Sequence, residues 1–207
     1  MEDQWLSWAK RIEALASTGL HFGTSDFDQE RYAELALIAR QMLADLGRVP
    51  LSQLKDLEVQ QGQGYATPQV DVRGAVFAGD QILLVQERGD KLWTLPGGYA
   101  DVGLSAAENV VKEISEEAGL TVRADHLYAV RHKAKHAYRP DTRDFYKFFF
   151  ICTPLDQAVP VAGLETLDAA FFDLEALPPL SSGRVILRDI VAAFEQRRAN
   201  PRTTLFD

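Results

Sequence analysis

One segment, residues 98–120, constrains this chain more than any other. It places three carboxylates, Glu113, Glu116 and Glu117, at spacings of three and four residues, so on a helix they share one face. Like charges on one face repel each other, and an isolated helix gains nothing from this arrangement. Magnesium prefers oxygen ligands and is held by a few carboxylates together with substrate phosphates. The cluster therefore indicates a metal site for phosphate chemistry.

An exposed face of an ordinary helix is the alternative reading of the same glutamates. A ladder of charges at i, i+4 spacing, which would support any solvated helix, is formed by Glu108, Lys112 and Glu116. The flanking residues favour the metal site. Residues 93–98 predict a short strand that ends in a glycine turn, which brings backbone close to the start of the helix. Ser105 is placed to be the N-cap of that helix and Gly119 its C-cap.

The composition allows one substantial core and a small second unit, because the chain has 207 residues, 46% apolar and 25% charged. No apolar run reaches the length that crosses a membrane, and the first residues lack the basic and apolar regions of a signal peptide. We therefore expect a cytoplasmic protein with no membrane partner. The single cysteine, Cys152, excludes an intrachain disulfide and a cysteine-based zinc site, and its apolar surroundings predict a buried core residue.

A basic region interrupts an otherwise acidic chain. The formal net charge of -8 argues against an extended nucleic-acid track, since such binding depends on lysine and arginine neutralising phosphates. Between residues 131 and 147 basic side chains nevertheless outnumber Asp141 and Asp144; they are Arg131, His132, Lys133, Lys135, His136, Arg139, Arg143 and Lys147. A local basic patch suits a small anionic ligand, and a solvated hairpin is the alternative.

Residues 1–46 predict two amphipathic helices. In the first, apolar residues recur at helical spacing until Gly19 interrupts the pattern. Asp26 and Gln29 resemble a capping box at the start of the second, which Gly47 is expected to end. Two such helices cannot bury both faces alone, so we expect them to pack on the rest of the chain or on another subunit. A homodimer is our expectation.

The rest of the chain predicts an α/β fold. Residues 47–66 are rich in glycine, glutamine and proline and predict a linker, so the expected domains are 1–66 and 67–207. The predicted strands are residues 70–77, 81–86, 127–136, 145–152 and 170–173. A closing helix is predicted over residues 181–197. We expect a mixed sheet against which the glutamate helix and the closing helix pack.

The glutamate segment resembles the Nudix box, a motif of one protein family. The matching residues are Gly98, Glu113, Ile114, Glu116, Glu117, Gly119 and Leu120. Leu104 stands where the motif has a glutamate and Lys112 where it has an arginine, and these two positions pair with each other in the family. The resemblance implies an α/β/α sandwich with a mixed sheet, here preceded by a small two-helix N-terminal domain.

The resemblance extends over nearly the whole chain, to Nudix enzymes that have a helical N-terminal domain. It includes the start of the first helix, the first predicted strand, residues 146–150, residues 177–181 and the final Phe206-Asp207. In that group leucine and lysine at the two deviating positions are familiar, so we do not read them as inactivating. The group hydrolyses nucleoside diphosphates linked to another moiety X, such as CDP-choline or ADP-ribose. The implied products are a nucleoside monophosphate and X-phosphate.

The resemblance also implies roles for particular residues. Glu113, Glu116 and Glu117 would bind Mg²⁺, or Mn²⁺ in its place, with the Gly98 carbonyl as a further ligand. The resemblance does not fix the base that activates water, because some relatives use a box glutamate and others a glutamate from a later loop. Glu165 is the best candidate outside the box, and an ordinary surface glutamate is its alternative. Candidate contacts to phosphate or to the leaving group are Arg73, Arg131, Lys133, Lys135, His136 and Lys147. Candidates for stacking on a base are Tyr99, Tyr138 and Tyr146.

Two other functions are compatible with the sequence. The basic region leaves open an enzyme that acts on RNA, at a 5′ end or as a 3′ exonuclease, although the net acidity counts against a long RNA track. A sensor that binds a nucleotide ligand without hydrolysis would be expected to have a damaged metal cluster and a basic DNA-binding domain. The intact glutamates favour an enzyme.

Overall fold

The computed structural model describes residues 3–47 and 65–207. Its contacts group the described residues into two units. One comprises the described part of Met1–Gln69 together with Ala134–Phe145, and the other comprises Val70–Lys133 together with Tyr146–Asp207. Almost all of the predicted linker lies outside the described residues. The predicted boundary between residues 66 and 67 therefore stays a prediction.

The first unit contains two helices, α1 (Gln4–Phe22) and α2 (Asp26–Gly47). The prediction that Gly19 interrupts the first helix was wrong, because α1 continues to Phe22. A Cβ atom at Gly19 would lie 2.5 Å from the ring of Tyr32 in α2. Gly19 therefore allows the two helices to approach each other closely, and does not terminate α1.

The join between the two helices also differs from the prediction. Gln29 does not close a capping box with Asp26; its Nε2 donates to the carbonyls of Leu20, at 2.8 Å, and Gly23, at 2.7 Å. Gln29 thus satisfies carbonyl groups at the end of α1, which would otherwise lack a partner. The segment 134–145 is bound to α1 through Lys10, whose Nζ lies 3.3 Å from Asp144 Oδ1.

The second unit contains the sheet. Its strands are β1 (Gln69–Ala78), β2 (Gln81–Glu87), β3 (Trp93–Thr94), β4 (Val122–His132), β5 (Phe145–Pro154), β6 (Thr166–Asp173) and β7 (Leu205–Phe206). The order is β3-β2-β1-β5-β4-β7, and β6 pairs with β2. The β1–β2, β2–β6 and β4–β5 pairs are antiparallel and β4–β7 is parallel, so the sheet is mixed as expected.

Helices cover both faces of this sheet. On one face, α3 (Ala106–Ala118) packs Val110 and Ile114 into a core with the β1 residues Val72 and Val76. On the other, α4 (Leu187–Arg198) carries Phe194, whose ring contacts that of Phe77 edge to face at 5.0 Å between centroids. Because Val76 and Phe77 are adjacent on one strand, they point to opposite faces. The predicted α/β/α arrangement after two N-terminal helices is confirmed.

Several elements differ from the prediction. Strand β4 begins at Val122 and β6 at Thr166, earlier than the predicted residues 127 and 170. Strand β4 ends at His132 and a 3-10 turn follows, where a strand to residue 136 was predicted. Helix α4 begins at Leu187, because the segment before it pairs with β3: Trp93 N donates to Pro179 O and Ser181 N donates to Trp93 O. Strand β7 was not predicted, since two residues are too few to show an alternating pattern. In the described part of the chain, no helix has the length and apolar character needed to cross a membrane.

Candidate active site

The predicted caps hold both ends of α3. Ser105 Oγ accepts the Glu108 N–H at 3.2 Å, and Glu108 Oε2 accepts the Ser105 N–H at 2.8 Å, which forms a reciprocal capping box. At the other end Gly119 adopts φ +67° and donates its N–H to Ser115 O at 3.0 Å. The helix and both its caps are therefore where the sequence predicted them.

A glycine loop, residues 96–99, lies between β1 and α3. Val72 N donates to Gly98 O at 2.9 Å, and Gly74 N donates to Pro96 O at 2.9 Å. Gly97 has φ +144°, and a Cβ there would overlap the carbonyl oxygen of Val72. Only glycine fits this close approach of two backbone segments. The loop is thus fixed along β1 by main-chain hydrogen bonds.

The glycine loop contacts two of the three glutamates. Gly97 N donates to Glu117 Oε2 at 2.8 Å. A Cβ at Gly98 would lie 2.9 Å from Glu113 Oε1, so this carboxylate lies directly against the loop. The box spacing thereby places the carboxylates of Glu113 and Glu117 beside the backbone that the motif supplies.

Burial perturbs the protonation of these two glutamates. Glu117 is only 6% exposed, and burial raises its pKa to about 7; Glu87 and Glu113 add to the rise, while Arg73 and the Gly97 N–H oppose it. Burial likewise raises the pKa of Glu113, to which the charges of Glu116 and Glu165 contribute. For both carboxylates, nearby positive charges and hydrogen bonds do not offset the effects of burial and of neighbouring negative charges. A bound cation would stabilise their ionised forms.

Glu116 faces solvent and is paired with Lys112. Lys112 Nζ donates to Glu116 Oε2 at 2.8 Å and lies 3.3 Å from Asp101 Oδ2. These hydrogen bonds raise the pKa of Lys112. Lys112 stands where the motif has arginine, so this position still supplies a positive charge to the same face of the helix. Leu104, which stands where the motif has glutamate, is 41% exposed and has no charge with which Lys112 could pair.

The donor set fits a hard divalent cation. It consists of carboxylate oxygens and a backbone carbonyl, which are the ligands such ions prefer. Within residues 3–47 and 65–207, no three aspartate, glutamate, histidine or cysteine side chains already converge on one point. Glu116 is turned toward Lys112, so a cation bound by all three glutamates would require it to exchange this partner.

Glu165 lies on an exposed bend just before β6, and this bend is fixed to the end of α3. Thr166 Oγ1 donates to Glu117 O at 2.9 Å, and Val161 N donates to Ala118 O at 2.9 Å. Gly163 lies so close to the helix that a Cβ there would overlap Glu116 O. The structure thus brings a residue that is 48 positions from Glu117 into the electrostatic surroundings of the cluster.

Two of the predicted substrate contacts share a buried carboxylate that sequence reasoning missed. Arg73 donates from Nε to Asp71 Oδ1 at 3.0 Å and from Nη2 to Asp71 Oδ2 at 2.9 Å. Lys147 Nζ donates to Asp71 Oδ1 at 2.7 Å. Burial alone would raise the pKa of Asp71, but the two cations lower it to about 2. The signal was the alternation in β1, which puts Asp71 and Arg73 on one face of the strand.

The basic region of the sequence does not form one basic patch. Arg131 is buried with its Nε 3.1 Å from Asp189 Oδ1 at the start of α4, and Lys147 is paired with Asp71. Lys133 is buried in the turn after β4. The positive charges of Arg131 and Lys147 are thus paired with carboxylates that lie far away in the sequence. Contact of these side chains with substrate stays a prediction.

The remaining predicted contacts divide between the two units. Tyr99 and Tyr146, in the sheet unit, are 51% and 44% exposed. The first unit, with the N-terminal helices, contains Lys135, His136 and Tyr138. Of these, Lys135 is exposed and Tyr138 is buried. Their roles also stay predictions.

A further ion pair near the cluster was not predicted. Arg184 Nε lies 2.8 Å from Glu87 Oε1, and Arg184 Nη1 lies 3.3 Å from Asp90 Oδ2. Glu87 ends β2 and contributes to the raised pKa of Glu117. No sequence pattern connects residues 87 and 184, because the pair exists only through the packing of the segment that follows Pro179.

Comparison with known proteins agrees with this geometry. The NUDIX domain family matches residues 67–194, more than half of the chain, and the family described as a UDP-X-like, N-terminal oligomerisation domain matches residues 3–57. The chain is 43% identical over 207 residues to the Bacillus subtilis (strain 168) protein named "Putative ADP-ribose pyrophosphatase YjhB", covering 100% of this chain and 99% of that one.

Two solved structures are also similar. An ADP-ribose pyrophosphatase from Streptococcus suis 89-1591 is 41% identical with a TM-score of 0.62, over 68% of this chain and 100% of that one. A UDP-X diphosphatase is 32% identical with a TM-score of 0.63, over 98% of both chains. Together with the capped glutamate helix and its glycine loop, these matches show that the chain belongs to the Nudix family, as a Nudix hydrolase with the UDP-X-like N-terminal domain.

Proposed function

We propose that this hydrolase cleaves the pyrophosphate bond of a nucleoside diphosphate linked to a moiety X, such as ADP-ribose or CDP-choline. The products are a nucleoside monophosphate and X-phosphate. One observation carries the proposal: Glu113 and Glu117, with raised pKa values, lie against the glycine loop that follows β3. The names of two relatives that match over nearly the whole chain, "Putative ADP-ribose pyrophosphatase YjhB" and a UDP-X diphosphatase, support this substrate class.

We assign the cation site to Glu113, Glu116, Glu117 and the Gly98 carbonyl, and the cation to Mg²⁺, for which Mn²⁺ can substitute. When bound, such a cation neutralises phosphate oxygens and lowers the pKa of a coordinated water. The raised pKa values of the buried Glu117 and the half-buried Glu113 support this assignment, since a nearby cation would stabilise their charged forms. Glu116 would have to exchange its hydrogen bond with Lys112 to take part in holding the cation.

The chain's own residues supply positioning and proton transfer. Glu165 accepts the proton of the attacking water, and the hydrogen bonds of its neighbour Thr166 to the end of α3 support this role. The exposed rings of Tyr99 and Tyr146 stack on the base of the nucleotide. For the phosphates and X, the candidates remain the six basic residues predicted from the sequence, and Tyr138 remains a further candidate for stacking on the base.

The N-terminal helices support assembly as a homodimer. Several large apolar side chains of α1 and α2 are exposed, among them Leu15, Phe22, Phe27, Leu37 and Ile38. Burial of such residues is the main favourable term in most association. The match to an N-terminal oligomerisation domain supports the same proposal.

A substrate panel tests the activity. With Mg²⁺ and then Mn²⁺, we expect hydrolysis of ADP-ribose, CDP-choline or a UDP-linked compound, and weaker action on dinucleoside polyphosphates and short RNA. Products formed in ¹⁸O-labelled water locate the attacked phosphorus. Preferred cleavage of RNA ends would instead support the alternative that the sequence left open.

Charge-removing variants separate the enzyme from a ligand sensor. Glu116→Gln and Glu117→Gln should fold and lose hydrolysis, because each removes a negative charge from the cation site. Glu108→Gln is the matched control, since it makes the same change on the same helix outside the cluster, and it should keep the activity. Unchanged turnover in both cluster variants would refute the proposed site.

A further inference from the structure

Asp71, Arg73 and Lys147 form a buried charge cluster next to the glycine loop. Their exposures are 6%, 4% and 1%, and Asp71 receives three hydrogen bonds from the two cations. A buried carboxylate with this many charge-assisted partners is fixed in one geometry. Arg73 in turn is held as a planar fork against Asp71, with Nε on one oxygen and Nη2 on the other.

The third nitrogen of the Arg73 guanidinium binds the residue that directly precedes the glycine loop. Arg73 Nη1 donates to Leu95 O at 3.2 Å. Leu95 lies two residues before Gly97, whose N–H donates to Glu117 Oε2. A continuous path of hydrogen bonds and covalent bonds therefore leads from Lys147 through Asp71 and Arg73 to the backbone that holds Glu117.

The loop needs such a support because of its two glycines. Glycine has more backbone freedom than any other residue, and Gly97 uses it at φ +144°. Hydrogen bonds from β1 hold Pro96 O and Gly98 O on one side. Arg73 adds a bond from a side chain, fixed by its own ion pair, at the point where the chain enters the loop.

We propose that Asp71 is a positioning residue of this enzyme, which fixes the Arg73 fork on the Leu95 carbonyl and so places the Gly97 N–H against Glu117. This inference rests on the proposed function of the same site. It gives Arg73 a role different from direct contact with substrate. Each of the three guanidinium nitrogens donates one hydrogen bond within the protein, to Asp71 or Leu95, which fixes the orientation of the side chain.

Two measurements on Asp71→Asn, Arg73→Gln and Arg73→Lys test the proposal. The first is amide hydrogen exchange in the peptide covering residues 95–100, with no substrate or cation present. The second is steady-state kinetics on the substrate that the wild type hydrolyses best. We expect faster exchange in that peptide alone, and a fall in kcat of about tenfold or more with little change in KM, since small displacements near reacting atoms are costly.

Arg73→Lys separates charge from geometry, because lysine keeps the positive charge and loses the fork. We expect it to resemble Arg73→Gln in both measurements. The matched control is Phe194→Leu, which destabilises the same unit at the other end of β1, where Phe194 contacts Phe77. In this variant we expect the hydrogen exchange of residues 95–100 and the value of kcat to equal those of the wild type.

Several results would overturn the proposal. A rise in KM with unchanged exchange would make Arg73 a substrate contact, and full recovery of kcat in Arg73→Lys would leave only its charge as important. If Asp71→Asn does not fold, the two Arg73 variants still remove the fork that joins Asp71 to Leu95, and normal exchange and kinetics in both of them refute the inference. Absence of any hydrolysis by the wild type would refute the proposed function, while the exchange measurement would still decide the role of Asp71.

Discussion

Replacing Glu117 by glutamine should make the cation-free protein more stable at alkaline pH while it abolishes hydrolysis. Glutamine has the shape of glutamate and can still accept the Gly97 N–H through its carbonyl oxygen. What it removes is the charge. In the absence of a cation, that charge is the unfavourable part of a carboxylate that is only 6% exposed.

The size of the effect follows from the pKa of Glu117. Burial raises it from 4.5 to about 7 in the folded protein. Below pH 4.5 the carboxyl is neutral in both the folded and the unfolded chain, so ionisation costs no stability. Between pH 4.5 and 7 the unfolded chain ionises Glu117 and the folded protein does not, so the free energy of unfolding falls. Above pH 7 the carboxyl is ionised in both states and the loss of stability is complete. The pKa differs by about 2.5 between the folded and the unfolded chain, and each pKa unit corresponds to about 1.36 kcal/mol. Ionisation of Glu117 therefore lowers the free energy of unfolding by roughly 3 kcal/mol.

Thermal unfolding in EDTA measures this difference. At pH 8 we expect Glu117→Gln to melt several degrees above the wild type, since about 1 kcal/mol shifts the midpoint by about 2 to 4 °C in a chain of this size. At pH 4.5 the two midpoints should converge. Addition of Mg²⁺ at pH 8 should raise the midpoint of the wild type more than that of the variant, because the cation binds the charged site of the folded state.

Glu116→Gln serves as the control, since Glu116 is exposed and paired with Lys112 on the surface. Its midpoint should differ little from that of the wild type at either pH, because exposed ion pairs contribute little. A Glu117→Gln variant that is no more stable than the wild type at pH 8 in EDTA would refute the reasoning. It would mean that Arg73 and the Gly97 N–H fully compensate the buried charge.

Three further predictions concern the ends of α3. Glu165→Gln should lower kcat by about 100-fold with an unchanged melting temperature, because Glu165 is the proposed base and is exposed; equal kcat in a pH-controlled assay would assign the base elsewhere. Gly163→Ala should destabilise the protein by about 1 to 3 kcal/mol in urea titration and lower kcat, since its Cβ would overlap Glu116 O and displace the bend; wild-type behaviour would show that the bend yields freely. Ser105→Ala should cost about 1 kcal/mol in the same titration, because it removes the capping box with Glu108; a loss below about 0.3 kcal/mol would contradict the cap's importance.

Local sequence patterns predicted the elements well where the signals lie within a few residues of each other. The capping residues Ser105 and Gly119, the hairpin between β1 and β2 and the helix that carries the glutamates are all confirmed. In each, the physical cause is itself local. A hydroxyl that accepts the N–H three residues on, or a glycine in the left-handed region, can be read without knowing the rest of the chain.

Counting charges along the sequence did not show which of them are paired, because their partners are distant in the sequence. The residues between 131 and 147 form a basic cluster in sequence, yet Arg131 and Lys147 are buried beside carboxylates 58 and 76 positions away. A buried charge is tolerated only with a partner, and which partner it has depends on the strands and helices that pack together. Gly19 is a similar case, since its neighbour Tyr32 lies on the next helix.

The sequence by itself determined the family, the α/β/α arrangement and the three glutamates, because caps, alternation and the box spacing are short-range properties. Only the tertiary structure decided how the carboxylates differ: Glu117 buried against Gly97, Glu113 half-buried, and Glu116 exposed beside Lys112. It alone joined Asp71 to Arg73, Lys147 and the glycine loop, and it brought the bend of Glu165 to the helix end. Burial and charge pairing depend on distances in space, which spacing along the chain does not specify.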